Sequence, residues 1–168
     1  MQKFILCLTL MFAFSLYAQD LEVVEKENIT MWVVAQKFTG DYEAIKTNMK
    51  IFVDEFLRQK LVPHPSYPYP IGIFHANGVW ELGFRVQSQV RVENPLHIRK
   101  ITFPTIVESI HRGSYRRLLK TKEAMVNRLP RTRLEDVGKP AIVEYLDNPD
   151  KVEEGKLRSR ILLPVKKS

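Results

Sequence analysis

The stretch TIVESIHRGSY, residues 105–115, decides the fold because it repeats the pattern of MWVVAQKFTGDY at residues 31–42. Each stretch is rich in β-forming residues and ends at a glycine followed by a polar residue, which together stop a strand and favour the start of a helix. The two glycines, Gly40 and Gly113, lie 73 positions apart, and a tyrosine follows each of them two positions later. Because similar elements follow both stretches in the same order, the sequence predicts an internal duplication.

The first copy of the repeat is predicted to span residues 31–87. After its strand, apolar residues spaced mostly three and four positions apart between Tyr42 and Leu57 predict an amphipathic helix. A proline-rich connection over residues 63–70 follows. Two short β-rich runs then flank Asn77-Gly78, a dipeptide that favours the tight turn of a β-hairpin.

The second copy is predicted at residues 104–166, after a linker at residues 88–103. Its strand is followed by a helix between Tyr115 and Leu129 and by strands at residues 141–146 and 157–165. Two such units bury their apolar faces best side by side, in an α+β fold with one antiparallel sheet and two helices packed on one face. The crevice between the copies is the expected place for a ligand.

The N-terminal residues 1–18 are typical of a secretory signal peptide. Lys3 precedes an apolar run from Phe4 to Leu16, and cleavage is predicted after Ala18. A polar leader at residues 19–30 follows, before a single domain at residues 31–168. Because the apolar run is shorter than the ~20 residues of a spanning helix, the sequence predicts an exported protein, periplasmic or secreted. An uncleaved signal that anchors the chain is the alternative.

Composition limits the chemistry and the partners. The one cysteine, Cys7, lies in the predicted signal, so no disulfide and no thiolate is expected in the mature protein. Beyond residue 18, 25 basic and 19 acidic residues leave a net charge of +6. No helix-turn-helix or RNA-binding signature accompanies this charge, so no nucleic-acid partner is predicted.

The basic residues are concentrated on and around the second helix. A solvated helix face is one interpretation, and docking to an anionic envelope surface is the functional alternative. The residues concerned are Arg112, Arg116, Arg117, Lys120, Lys122, Arg128, Arg131 and Arg133.

Three motifs resemble a known family, the GyrI-like or AraC-type effector-binding domain. They are Arg112-Gly-Ser-Tyr115 at the start of a helix, the run Glu144-Tyr-Leu-Asp-Asn-Pro149 and the closing Ile161-Leu-Leu-Pro-Val165. The resemblance spans residues 31 to about 166. It implies a duplicated α+β domain whose crevice accepts small, often flat or cationic, hydrophobic molecules. Some stand-alone members are similar to hydrolases that open strained rings, which implies an enzymatic alternative.

The resemblance also implies an acidic residue in the crevice, two places before a tyrosine on the penultimate strand. Here that place is Val143, and the acid is Glu144, directly before Tyr145. Neighbouring residues in a regular strand point to opposite faces. We therefore expect Glu144 to point away from the face shared by Val143 and Tyr145 unless a bulge corrects its direction.

Rings and acids gather in the predicted hairpin strands of both copies. A pocket with aromatic walls and one carboxylate attracts a flat cation through stacking, cation-π contact and charge neutralisation. Core packing of the rings and solvation of the acids are the competing interpretations. The predicted ligand-binding residues are Tyr69, His75, Trp80, Glu81, His111, Glu144 and Tyr145.

The same acids are the candidate catalytic residues. Glu81 or Glu144, buried beside rings, would act as a general acid or base in a detoxifying hydrolase. The four histidines lack the pair spacings of zinc sites, so no metal and no cofactor is predicted. Tetrapyrrole binding through one axial histidine is a remote alternative. The predicted function is that of an exported protein that binds a hydrophobic or cationic aromatic ligand.

Overall fold

The computed structural model describes residues 24–40, 44–75 and 78–167; the predicted signal peptide and Asn77 of the predicted turn lie outside the described residues. The α+β prediction is confirmed, since these residues form an antiparallel seven-stranded sheet and two α-helices. The elements are β1 (Val24–Thr39), α1 (Ile45–Arg58), β2 (Pro70–Phe74), β3 (Val79–Val86), β4 (Leu96–Arg112), α2 (Leu118–Arg128), β5 (Leu134–Asp136), β6 (Ala141–Tyr145) and β7 (Arg158–Lys167).

The sheet closes on itself. Its strand order is β4-β1-β3-β2-β6-β7-β5, and β4 also pairs with β7. Six strands thus form a circuit, with β1, β3 and β2 from the first copy and β6, β7 and β4 from the second. The copies meet at two seams, β2 with β6 and β1 with β4. The closure was not predicted. It arises because residues 105–108 of β4 pair with β1 on one side and β7 on the other.

Two strands are longer than their sequence pattern indicates. β1 begins at Val24, within the predicted leader, and β4 begins at Leu96, within the predicted linker. β1 and β4 pair with each other from Val24 opposite Glu108 to Gln36 opposite Leu96, so each extension lies mainly beside the predicted strand of the other copy. Because each extension is paired by the other copy, its own sequence does not need strong apolar alternation. The short strand β5 was also not predicted.

The two faces of the sheet carry separate cores. On one face, Phe52 and Phe56 of α1 and Met125 of α2 pack against strand residues such as Leu82 and Leu163. The opposite face holds a second apolar cluster with no buried helix residue among the described ones: Met31, Val33, Ala35, Ile71, Ile73, Phe103, Ile106, Ile142 and Leu162. Both helices therefore lie on one face, as predicted. No helix in the described ranges is long and apolar enough to cross a membrane.

The glycines that mark the repeat in the sequence have the same conformation in both copies. Gly40 and Gly113 have φ of 109° and 112°, a region that favours glycine. The amide of Gly40 donates to the carbonyl of Gly78 at 3.2 Å, and that of Gly113 donates to the carbonyl of Leu157 at 2.8 Å. In both cases the acceptor directly precedes the last strand of the copy. The glycines thus connect equivalent points of the two copies.

His111 connects the end of β4 to α2 and is almost fully buried. Its Nε2 donates to the carbonyl of Ser114 at 3.0 Å, since a carbonyl can only accept. Its Nδ1 then accepts from the hydroxyl of Thr121 at 2.8 Å. Burial lowers the pKa of His111 below its ordinary value of 6.5, because the charged ring loses its solvation.

Replacement of Gly83 by alanine is predicted to destabilise the fold. A Cβ at this position would lie 2.8 Å from the carbonyl oxygen of Val34 and 2.9 Å from a methyl group of Val33, so β1 and β3 would have to separate. We expect a loss of about 1–3 kcal/mol in the free energy of unfolding, measured by chemical denaturation. Gly155→Ala is the control, because no atom lies within 4 Å of its added Cβ. Equal stability of the two variants would contradict the close packing at Gly83.

The buried neutral ring of His111 predicts a loss of stability in acid. A folded-state pKa below the unfolded value means that the folded state resists protonation, so stability falls as the pH drops below about 6.5. We expect the thermal midpoint of the wild type to fall between about pH 7.5 and about pH 5. His111→Gln, which cannot titrate, should show a smaller fall over the same interval. An identical fall in both proteins would assign the acid sensitivity to other groups.

Candidate functional site

A pocket of about 270 Å³ lies where the two copies meet on the helical face of the sheet. The first copy contributes the start of α1, and the second contributes the turn before α2 and the loop between β6 and β7. Ligand pockets are commonly about 300–1,000 Å³, so the volume suits a small molecule or part of a larger one. The lining residues are Ile45, Lys46, Ser114, Tyr115, Arg116, Pro149, Glu154 and Leu157.

Tyr115 forms the aromatic wall of the pocket. Its ring meets that of the buried Tyr145 edge to face, with centroids 5.0 Å apart, and its hydroxyl donates to the carbonyl of Asp147 at 3.1 Å. Burial raises the pKa of Tyr115 to about 12, so the phenol stays neutral and remains a donor at physiological pH. Behind it, the Tyr145 hydroxyl lies over Gly72, where a Cβ would be only 2.5 Å away. The wall is therefore a packed pair of rings.

Ser114 and Glu154 form the polar side of the pocket. The Ser114 hydroxyl oxygen accepts from the amide of Arg116 at 3.3 Å, which caps the helical turn, and its proton is donated to the Glu154 carboxylate. Lys46, at the rim, forms an ion pair with Asp150. Within the described ranges no lysine or arginine forms an ion pair with Glu154. The pocket thus combines apolar walls with one carboxylate that a hydroxyl orients.

The loop that carries Pro149 and Glu154 is fastened at its base. Asp147 accepts from the backbone amide of Arg158 at 2.8 Å and from Nε and Nη2 of its guanidinium group. These hydrogen bonds with Arg158 hold the pKa of Asp147 below its ordinary value. The loop therefore holds its pocket-facing residues against the start of α2.

Glu144, a predicted site residue, lies on the other face of the sheet. Val143 and Tyr145 belong to the helix-side core, whereas Glu144 is 1% exposed and is paired with Arg85 and, at 2.8 Å, with Arg160. No bulge corrects its direction, because β6 pairs with β2 and β7 in regular register. Its charge is neutralised by two arginines away from the pocket.

Glu81 forms a second charged cluster, also on the face opposite the helices. It lies 2.7 Å from Nε2 of His75, 3.2 Å from Nε2 of His97 and 3.4 Å from the guanidinium of Arg99. The structure thus brings together two predicted residues, His75 and Glu81, but at a distance from the pocket lining. In the described part of the chain, no group of three or more His, Cys, Asp or Glu side chains is placed to hold a metal ion.

The remaining predicted residues are separate from these clusters. Trp80 is buried and stacks on Phe38 with ring centroids 5.2 Å apart. Tyr69 is 38% exposed. His111 donates to the carbonyl of Ser114. Of the seven predicted ligand-binding residues none lines the pocket itself, but two contact residues that do: the Tyr145 ring supports Tyr115, and His111 is hydrogen-bonded to Ser114.

Some of the pocket-lining residues that are absent from the predicted ligand-binding set lie at positions that the sequence pattern marks. Ser114 and Tyr115 directly follow Gly113, one of the two matched break points, and Pro149 lies in the turn-rich loop of the second copy. The break points of a duplicated unit fall at the ends of strands. When two copies lie side by side, the loops at these strand ends lie close together, so residues that follow a break point are candidates for a site between the copies. Glu154 had no such signal, since one more acid in a charged loop has no distinguishing spacing.

Comparison with known proteins agrees with this fold. The family model described as "GyrI-like small molecule binding domain" matches residues 20–166. A search of the curated proteins found no match. Among solved structures, the C-terminal domain of EcmrR superposes with a TM-score of 0.77 at 18% identity, covering 88% of this chain and 99% of that domain.

Two further solved structures share the fold. A hydrolase from Listeria innocua gives a TM-score of 0.60 at 14% identity, covering 93% of this chain and 98% of its own. SAV2435, solved bound to tetraphenylphosphonium, gives 0.58 at 12% identity, covering 87% of this chain and 94% of its own. Because the family model covers nearly all of the described residues, the chain belongs to the GyrI-like small-molecule-binding domain family.

Proposed function

We propose that this protein is an exported binding protein that holds a hydrophobic or cationic aromatic ligand in the pocket between its two copies. One observation carries the proposal: Tyr115, supported by Tyr145, faces a pocket whose other walls include Ile45 and Leu157. Aromatic and aliphatic walls with a few polar groups are the usual composition of small-molecule sites. The bound tetraphenylphosphonium of SAV2435, which has the same fold, supports an aromatic cation as the ligand class.

Binding without turnover is the function that the geometry supports best. The hydrolase alternative relied on Glu81 or Glu144 as acid or base, but both are held in ion pairs and neither lines the pocket. The fold shared with the Listeria innocua hydrolase carries no residue role to this chain. The tetrapyrrole alternative is also less well supported. Both ring nitrogens of His111 are hydrogen-bonded, Nε2 of His75 and of His97 contacts Glu81, and Nδ1 of His64 accepts from the amide of Ser66.

We further propose that the protein acts in the envelope or outside the cell, as its first 18 residues indicate. Its basic α2 surface would then face anionic lipid. On that helix Lys120 is exposed, and Leu119 is 50% exposed. Cationic side chains beside an apolar one are the combination that binds anionic membrane surfaces.

The ligand proposal predicts that tetraphenylphosphonium raises the thermal midpoint of the purified protein. A ligand at about 100-fold its dissociation constant adds about 2.7 kcal/mol to the free energy of unfolding. Tyr115→Ala should reduce the shift strongly because it removes the aromatic wall. Tyr69→Ala is the matched control, since this ring is outside the pocket lining.

No shift with the wild type would contradict the proposed ligand class. A shift that Tyr69→Ala abolishes and Tyr115→Ala preserves would place the ligand on the hairpin instead of in this pocket.

The surface proposal predicts that the protein co-sediments with vesicles containing an anionic lipid at low salt, and less so as salt screens the charges. Lys120→Gln with Lys122→Gln should weaken the binding. Lys37→Gln with Lys50→Gln removes the same charge from another part of the chain and should have a smaller effect. Equal loss in the two double variants would indicate a response to net charge alone, and no binding at low salt would end the proposal.

A further inference from the structure

We propose that Glu154 makes the pocket select hydrophobic cations over anions of the same shape. This inference rests on the proposed function, because it assigns the charge preference of that pocket to one residue. Glu154 is the acidic residue among the pocket-lining side chains. Its neighbour Glu153 belongs to the same loop but does not line the pocket.

The charge of Glu154 is oriented but not neutralised. Its hydrogen-bond partner among the described residues, the Ser114 hydroxyl, is neutral, so the hydrogen bond directs the carboxylate without cancelling its charge. By contrast, Glu144 is paired with two arginines, and Glu81 contacts Arg99 and two histidines. A ligand cation would therefore find an unpaired carboxylate at Glu154 and nowhere else in the pocket lining.

The surrounding lysines are already engaged. Lys46, at the rim, pairs with Asp150, and Lys156 pairs with Glu153 at 2.8 Å. Arg116 also lines the pocket, and its positive charge repels a bound cation. We therefore expect the pocket to bind a cation only modestly more tightly than an anion of the same shape. Tyr115 adds to this preference, because the face of an aromatic ring attracts a cation and does not attract an anion.

Ser114 and Glu154 are held in place by separate parts of the backbone. Ser114 caps the turn that leads into α2. Glu154 begins a 3-10 turn whose end, Leu157, accepts from the amide of Gly113 at 2.8 Å. The hydrogen bond between the two side chains therefore spans two fixed segments, and the carboxylate does not depend on a ligand for its position.

The test compares two ions of similar shape and opposite charge, tetraphenylphosphonium and tetraphenylborate, by calorimetric titration. We expect the wild type to bind the cation more tightly, although its net positive charge favours the anion at long range. Glu154→Gln should weaken cation binding roughly two- to fivefold, the effect of an exposed charge pair, and should not weaken anion binding. Ser114→Ala should produce a smaller change in the same direction.

Glu153→Gln is the matched control, because it removes an equal charge from the adjacent position without touching the pocket. An unchanged cation-to-anion ratio in Glu154→Gln, with both ions still bound, would overturn the assignment to Glu154. Equal changes in Glu153→Gln and Glu154→Gln would overturn it too, because a general electrostatic effect would then suffice. Failure of the wild type to bind either ion would contradict the proposed function itself.

Discussion

The pairing of β1 with β4 is the contact on which the rest of the structure depends. Each is the first strand of its copy, and at 16 and 17 residues each is long enough to pair with both copies. β1 pairs with β4 over residues 24–36 and with β3 over residues 32–39, and β4 pairs with β1 over residues 96–108 and with β7 over residues 105–112. Without this seam, the copies would be joined only through β2 and β6, and β1 and β4 would each leave an unpaired edge. Unpaired edges and half-covered faces are unstable in water. The duplication is therefore a structural requirement.

Closure of the sheet also determines how charge is distributed. The face without helices is enclosed by strands, so polar residues that alternation directs there must find partners among themselves. Glu144 is paired with Arg85 and Arg160, and Glu81 is surrounded by His75, His97 and Arg99. A buried carboxylate is tolerated only with such partners. The acids that look most functional in the strands are thus paired within the sheet, and the acid that lines the pocket comes from a loop.

The pocket depends on both copies in the same way. The left-handed glycines end the first strands at equivalent points, and the chain that follows each glycine leads into the helix of its copy. The residues there have diverged. The first copy supplies Ile45 and Lys46, and the second supplies Ser114 and Tyr115. A symmetric scaffold therefore carries an asymmetric site, which suits a ligand with an apolar body and a charge on one side.

The sequence by itself determined the α+β class, and it predicted the duplication and a crevice between the copies. Those follow from local periodicity and from break points that recur at Gly40 and Gly113. Strand alternation also indicated that Glu144 points away from Tyr145. Only the tertiary structure decided that the sheet closes, that Arg85 and Arg160 neutralise Glu144, and that Glu154 reaches the pocket. Each of these depends on residues far apart in the chain, and pairing across such separations is set by packing and charge in three dimensions, which local sequence patterns do not encode.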